Sequence, residues 1–308
     1  MRFDIVIPVY NEEECIRETI SRLEKVKAQL HKFDTHLIFV NDGSRDKTFE
    51  ILSAEAESKK YLHVINLSRN FGHQIALTAG LDHSDADYVG IIDGDLQDPP
   101  ELFLDMIQIM QSENLDVLYG QRRSRVGESA FKKISAKTFY YVLSKMCDVS
   151  IPRDTGDFRL INKMVLTALK SMRERHRFVR GLVPFAGFRQ KSFLYDRKER
   201  FAGSTKYPLK KMINFALDAI FSFSTKPLRL IRYFGIVSLV ASFYLIANTI
   251  WAKLNSVAVP GYSSTVVAIV FFSSIQILSI SILGEYVGRI FEESKRRPLY
   301  FVKEYING

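Results

Sequence analysis

Apolar and polar positions alternate in blocks along the first 120 residues. "FDIVIPV", "HLIFVN", "LHVINL", "YVGIID" and "LDVLYG" are short apolar runs rich in Val, Ile and Phe and read as strands. Between them, Glu12 to Leu30, Lys47 to Ser58, His73 to Leu81 and Pro100 to Gln111 read as helices. Strands apolar on both faces and separated by helices predict a mostly parallel sheet covered on both sides. In such α/β sheets ligands bind at the carboxyl ends of the strands. Tyr10, Asn11 and Glu12 end the first strand, Asn41, Asp42 and Gly43 the second, Ser68, Arg69 and Asn70 the third, and Asp93 to Asp95 the fourth. All of these fall on one rim.

The pattern changes near the other end. "YFGIVSLVASFYLIANTIWA" (Tyr233 to Ala252) is 20 residues without a charge, and Tyr262 to Gly284 is uncharged as well. Each is long enough to cross a hydrocarbon core of ~30 Å as a helix, so the pair predicts a transmembrane hairpin. Lys226, Arg229 and Arg232 precede it and Arg289, Lys295, Arg296 and Arg297 follow it, whereas the connector carries only Lys253. This asymmetry places both termini in the cytoplasm. Lys206 to Arg232 carries Lys211, Asn214, Asp218 and Ser222 as a narrow polar stripe and suits the membrane interface; a core helix of the soluble part is the alternative. Gly284 and Gly288 form a G-x-x-x-G spacing that lets helices approach. The resulting division is 1–205 as the catalytic domain, 206–231 as juxtamembrane helix, 232–286 as two spans and 287–308 as a basic cytoplasmic tail.

Charge sharpens this picture. The chain has 308 residues and a formal net charge of +9, but residues 1–120 carry a net of −11 and residues 121–308 a net of +20. The first part is suited to cations, the second to anions or an anionic membrane. "MRFDIVIPVYNEEE" turns acidic after a short apolar run and predicts no signal peptide. Cys15 and Cys147 are the only cysteines, which fits a reducing compartment. His63, His73, His83 and His176 show no metal-ligand spacing and read as ordinary surface or core residues. No recognition-helix or aromatic-interleaved pattern supports nucleic-acid binding.

Asp93 and Asp95 flank a glycine directly after an apolar run. An isolated Asp-Gly is most simply a hairpin turn, but "LQDPPE" beyond it looks like a helix start with Pro in its first turn. Two carboxylates on the binding rim then predict a divalent-cation site, with Mg2+ or Mn2+ sharing them with substrate phosphates.

"IPVYNEE", "VNDGSRDKT", "LSRNFGHQIALTAG", "DGDLQDPPE", "DTGDFRL" and "RFAGSTKY" resemble the family 2 inverting glycosyltransferases that act on polyprenyl phosphates. That group contains dolichol-phosphate mannose synthases and bacterial bactoprenol glucosyltransferases, and the two spans resemble the latter branch. The resemblance implies a GT-A, Rossmann-like domain and metal-dependent transfer of a sugar from a nucleotide-sugar donor to a membrane polyprenyl phosphate. It implies glucose from UDP-glucose, undecaprenyl phosphate as acceptor, and residence in the plasma or inner membrane. It implies that Pro8, Tyr10, Glu12 and Asp42 cradle the nucleoside and that Asp93, Asp95 and Gln97 hold metal and diphosphate. Arg122, Arg200, Ser204 and Lys206 would contact donor or acceptor phosphates, and Asp157 would sit by the acceptor as a second catalytic residue with Asp95. The basic residues Arg125, Lys132 and Lys133 are placed to face the lipid phosphate. The alternatives are a GDP-mannose-dependent synthase, a processive polysaccharide synthase, which would carry Q-x-x-R-W and more spans, and a non-catalytic scaffold, which would have lost a carboxylate. A homo-oligomer is compatible with the hairpin.

Overall fold

The computed structural model describes residues 1–123, 155–196, 224–255 and 262–308 together with Met146, Pro152 and Phe221. The elements run β1 (Arg2–Val9), α1 (Ile16–Gln29), β2 (Asp34–Asn41), α2 (Thr48–Ser58), β3 (Leu62–Leu67), α3 (His73–His83), β4 (Tyr88–Ile91), a 3-10 turn (Pro100–Leu102), α4 (Phe103–Ser112), β5 (Val117–Arg122), β6 (Thr155–Asn162), α5 (Lys163–Ser171), α6 (Val179–Phe185), β7 (Gln190–Tyr195), α7 (Lys226–Leu254), α8 (Tyr262–Ser294) and β8 (Val302–Ile306).

Among the described residues one sheet has the order β7-β5-β6-β4-β1-β2-β3-β8. β1 pairs in parallel with β2 and with β4, and β2 in parallel with β3. β6 enters antiparallel between β4 and β5, and β7 returns parallel to β5. The chain moves outward from β1 through β2 and β3, then crosses to β4 on the other side of β1. At such a switch point the connections leave in opposite directions, and a crevice opens above the carboxyl ends of β1 and β4.

Side chains alternate across the sheet. Phe3, Ile5 and Ile7 of β1 are buried with Leu23 of α1, Leu52 of α2 and Phe103 of α4 on one face. Val6 is buried on the other with Leu77 of α3, Val165 of α5 and Leu182 of α6. α1 begins later than the charge pattern suggests. Asn11 adopts a left-handed conformation (φ 53°), and the Glu12 carbonyl accepts the Cys15 and Ile16 N–H groups, so residues 12–15 form a turn rather than a first helical turn. β6 ends at Asn162, whose side chain accepts the Val165 N–H (3.1 Å) and caps α5.

α7 and α8 span 29 and 33 residues, long and apolar enough to cross a membrane. Phe243, Tyr244, Ile269, Phe271 and Ile280 point outward, each more than half exposed. α7 starts at Lys226 rather than at 232; the structure of 206–220 lies outside the described residues. The stretch 287–308, read from its charge as a tail, holds the end of α8 and then β8, which pairs antiparallel with β3 and extends the sheet. Asn307 fastens this strand: its side-chain amide donates to the carbonyls of Ala56 (2.7 Å), Leu62 (2.9 Å) and Lys59 (3.2 Å). Charge alone missed β8 because "VKEYI" is a short edge strand with charged side chains, which is how sheet edges are protected.

Candidate active site

The loops at the carboxyl ends of β1 and β2 are stitched to each other. The Asn11 N–H donates to Ser44 Oγ (3.0 Å), the Glu12 N–H to Thr48 Oγ1 (2.9 Å) and the Lys47 N–H to Glu13 Oε2 (2.9 Å). Asp42 is 2 % exposed, and its carboxylate accepts the Phe71 N–H (2.7 Å) and the Gly72 N–H (3.0 Å). It therefore fixes the loop between β3 and α3. Pro8 is buried in β1, and Tyr10 and Glu12 lie half-buried at its end.

The Asp93–Asp98 loop is clamped onto this frame. The Gly94 carbonyl accepts the hydroxyl of Thr19 (3.0 Å) and the thiol of Cys15 (3.5 Å). A Cβ on Gly94 would lie 2.7 Å from Val9 Cγ1, so only glycine lets the loop approach β1 this closely. Asp93 and Asp95 are thus held on either side of a pinned residue. Leu96 follows in a left-handed conformation (φ 59°) and the Gln97 N–H donates to Asp95 Oδ1 (3.2 Å), which closes the turn.

Asp93 Oδ1 is buried and has no hydrogen-bond partner among the described residues; the nearest cation is His73 Nε2 at 3.5 Å. Burial, reinforced by Asp157, Asp98 and Asp95, pushes the Asp93 carboxyl up to about 6 despite the neighbouring imidazole. A buried carboxylate oxygen without a donor, among other carboxylates, fits a bound divalent cation. Asp93, Asp95 and the partly exposed Gln97 are the residues that would hold it.

Asp157 on β6 has a different environment. It is 1 % exposed, and its two oxygens take a bidentate pair from Arg180 Nε and Nη2 (2.9 Å each). The Oδ2 atom also contacts His73 Nε2 (3.0 Å) and accepts Gln74 Nε2 (3.2 Å). Burial alone would raise this carboxyl, but Arg180 and His73 overcome it and hold it well below its usual range. Burial likewise would lower His73, yet Asp93 and Asp157 raise it to about 9. Arg159, 3 % exposed, donates to the carbonyls of Gly156 (3.0 Å) and Asp157 (3.2 Å), and burial pushes it down to about 10.

The structure therefore brings Asp93, Asp95 and Asp157 to one region, and the Arg122 guanidinium lies against Gly156, the residue before Asp157. Arg125, Lys132, Lys133, Arg200, Ser204 and Lys206 lie outside the described residues. His73 corrects the sequence reading: it is no ordinary surface residue, because its imidazole bridges Asp93 and Asp157, and the ligand atoms of these three lie within 4.8 Å of one another. His73 opens α3 directly after the β3 loop, so the strand-end rule that selected Asp93 also selects it. Gln74, Arg159 and Arg180 also join the site without a motif of their own; Arg180 comes from α6, with no local signal pointing toward the site.

Residues 4–169 match the model of "Glycosyl transferase family 2", and residues 226–290 match that of the "GtrB C-terminal hairpin". An uncharacterized glycosyltransferase, YkcC of Bacillus subtilis, is 46 % identical over 99 % of this chain and 94 % of its own length. A prophage bactoprenol glucosyl transferase homolog of Escherichia coli is 38 % identical over 98 % of this chain and 99 % of its own. The bactoprenol glucosyl transferase of Shigella phage SfV is 37 % identical, with 98 % of each chain covered.

Proposed function

The chain belongs to glycosyltransferase family 2, with a GT-A catalytic domain and a GtrB-type C-terminal hairpin, and on that premise we propose that it transfers glucose from UDP-glucose to a membrane polyprenyl phosphate with inversion. The observation that carries this reading is the pairing of a clamped Asp93-Gly94-Asp95 loop with a GtrB-type C-terminal hairpin, in a chain similar over nearly its whole length to relatives named bactoprenol glucosyl transferases.

Asp93, Asp95 and Gln97 would hold Mg2+ or Mn2+, which when bound neutralises charge on the departing diphosphate. Pro8, Tyr10, Glu12 and Asp42 border the crevice where the nucleoside would lie. An oxygen of the lipid phosphate attacks the anomeric carbon, and the bond from that carbon to the UDP oxygen breaks with its electron pair leaving on UDP. Single displacement turns an α-linked donor into a β-linked product. A phosphate monoester has a second pKa of about 6 and is largely ionised at neutral pH. Asp157, held low by Arg180 and His73, is correspondingly a poor proton acceptor, which supports a positioning role for it.

The basic stretch holding Arg125, Lys132 and Lys133 is assigned to the membrane-borne phosphate, and Arg200, Ser204 and Lys206 to the substrate phosphates. Both chain ends sit in the same sheet, β1 at its centre and β8 at its edge. That arrangement supports a topology in which α7 and α8 cross and return, leaving the catalytic domain and both termini on the cytoplasmic side. Full-length protein incubated with polyprenyl phosphate and a panel of nucleotide sugars tests the reading. Lipid-linked glucose formed from UDP-glucose, with a higher kcat/KM than for GDP-mannose, is expected; preference for GDP-mannose would replace the donor assignment, and no lipid product with any donor would refute the activity.

A further inference from the structure

Behind Arg122 stands a chain of buried groups that the proposed chemistry does not yet use. Asp98 lies at the end of the carboxylate loop and is fully buried, and Tyr195, the last residue of β7, is 3 % exposed. The Tyr195 hydroxyl donates a short hydrogen bond to Asp98 Oδ1, and Tyr195 stands directly beside Arg122 across the β5–β7 pair. The tyrosine ring is fixed in turn by Phe158 of β6, with ring centroids 5.4 Å apart. A rigid ring, a buried carboxylate and a guanidinium thus form one line from the metal-binding loop to the end of β5.

Arg122 ends that line against residue 156. Its Nη2 lies 3.1 Å from where a Cβ on Gly156 would sit, so the missing side chain makes room for the guanidinium. The next residue, Asp157, holds Arg180 by its bidentate pair. Arg122 and Arg180, from different elements, thus lie against consecutive residues of β6, the first packed on Gly156 and the second bonded to Asp157, near enough that the charge of Arg180 opposes that of Arg122. Like charges held side by side by partners behind them are stabilised when an anion lies between, and two guanidiniums suit the oxygens of a phosphate.

We infer that Tyr195, backed by Asp98, is a positioning residue that aims Arg122 at the acceptor phosphate, with Arg180 on Asp157 as the opposing jaw. Because Asp98 belongs to the same short loop as Asp93 and Asp95, the relay also ties the geometry of the acceptor side to that of the donor side. The inference rests on the proposed lipid-phosphate acceptor.

Two variants probe it in the full-length protein. Tyr195→Phe keeps the ring on Phe158 and removes the hydroxyl. Gly156→Ala leaves the Tyr195–Asp98 bond intact and crowds only the tip of Arg122. For both, the acceptor KM is expected to rise by about tenfold, the scale of a lost hydrogen bond to a charged group, while the donor KM stays at the wild-type value. Calorimetric binding of farnesyl phosphate, which needs no turnover, is expected to weaken by the same factor. Acceptor KM and farnesyl phosphate affinity at wild-type values in either variant would overturn the inference. So would a parallel rise of donor and acceptor KM with a lowered Tm, the mark of a merely structural residue. A wild-type protein that binds farnesyl phosphate and transfers no sugar would refute the proposed activity while leaving the phosphate subsite standing.

Discussion

The Asp157–Arg180 pair offers a quantitative test of how the site is held. Asp157 is 1 % exposed and accepts two 2.9 Å bonds from Arg180, whose side chain is 25 % exposed. Asp157→Asn leaves Arg180 without its carboxylate, and Arg180→Gln leaves a buried carboxylate with only His73 (3.0 Å) and the more distant Arg159 (4.0 Å) as counter-charges. Removing one partner of a buried pair costs about 3–5 kcal/mol. For a chain of this size that corresponds to a Tm lower by about 5–8 °C. The double variant Asp157→Asn with Arg180→Gln has neither an unmatched carboxylate nor an unmatched guanidinium from this pair, so its loss is expected to fall short of the sum by about 2 kcal/mol. Thermal unfolding of the wild type, both single variants and the double variant gives that coupling directly. Its pH dependence carries a sign as well. The Asp157 carboxyl is held below its unfolded value of about 3.9, so the stability it contributes is present above that pH and is lost as pH falls through the folded pKa. Asp157→Asn is expected to remove this acid-dependent component and to lower the His73 pKa from about 9, read by NMR. Strictly additive single losses, or a His73 titration that does not move, would refute the reasoning.

Other consequences are independent of that pair. Asp95→Asn is expected to abolish transfer with the fold intact, and chelation to mimic it; full turnover in excess chelator would sink the metal assignment. Because Asp93 keeps its proton up to about 6, Mn2+ affinity is expected to fall as pH drops through that value, as measured by titration calorimetry; an affinity flat with pH would place the ion elsewhere. Asn307→Ala removes three hydrogen bonds that fasten β8 and is expected to cost about 1–3 kcal/mol, with faster amide exchange in β8 and β3; unchanged exchange would show the strand is held otherwise. Arg125→Ala, or Lys132→Ala with Lys133→Ala, is expected to raise the acceptor KM by about tenfold in detergent, whereas an unchanged KM with weaker binding to anionic vesicles would assign these residues to the bilayer surface.

What could be read from the residues depended on how far apart the partners lie in the chain. The strands from β1 to β5 declare themselves by apolar runs, and the rule that ligands sit at strand ends then selects Asn11, Asp42 and Asp93 without any knowledge of pairing. Asp95 and the glycine between the carboxylates are likewise local features. The order β5-β6-β4 is not local: β6 inserts antiparallel beside β4, and only that insertion sets Asp157 opposite Asp93. His73 carries no such local mark, because metal-ligand spacing is legible only where the ligands share one segment, as in a helix or a finger. Here His73, Asp93 and Asp157 come from three segments, the start of α3, the loop after β4 and the first half of β6, so no spacing along the chain announces their meeting. Arg180 and Tyr195 are further removed, since each reaches the site by way of another side chain. The same dependence explains β8, whose five residues become a strand only because β3 presents an unpaired edge. Groups set by one stretch of chain are therefore the ones local rules find, and groups that meet only across the sheet are found once the sheet order is known.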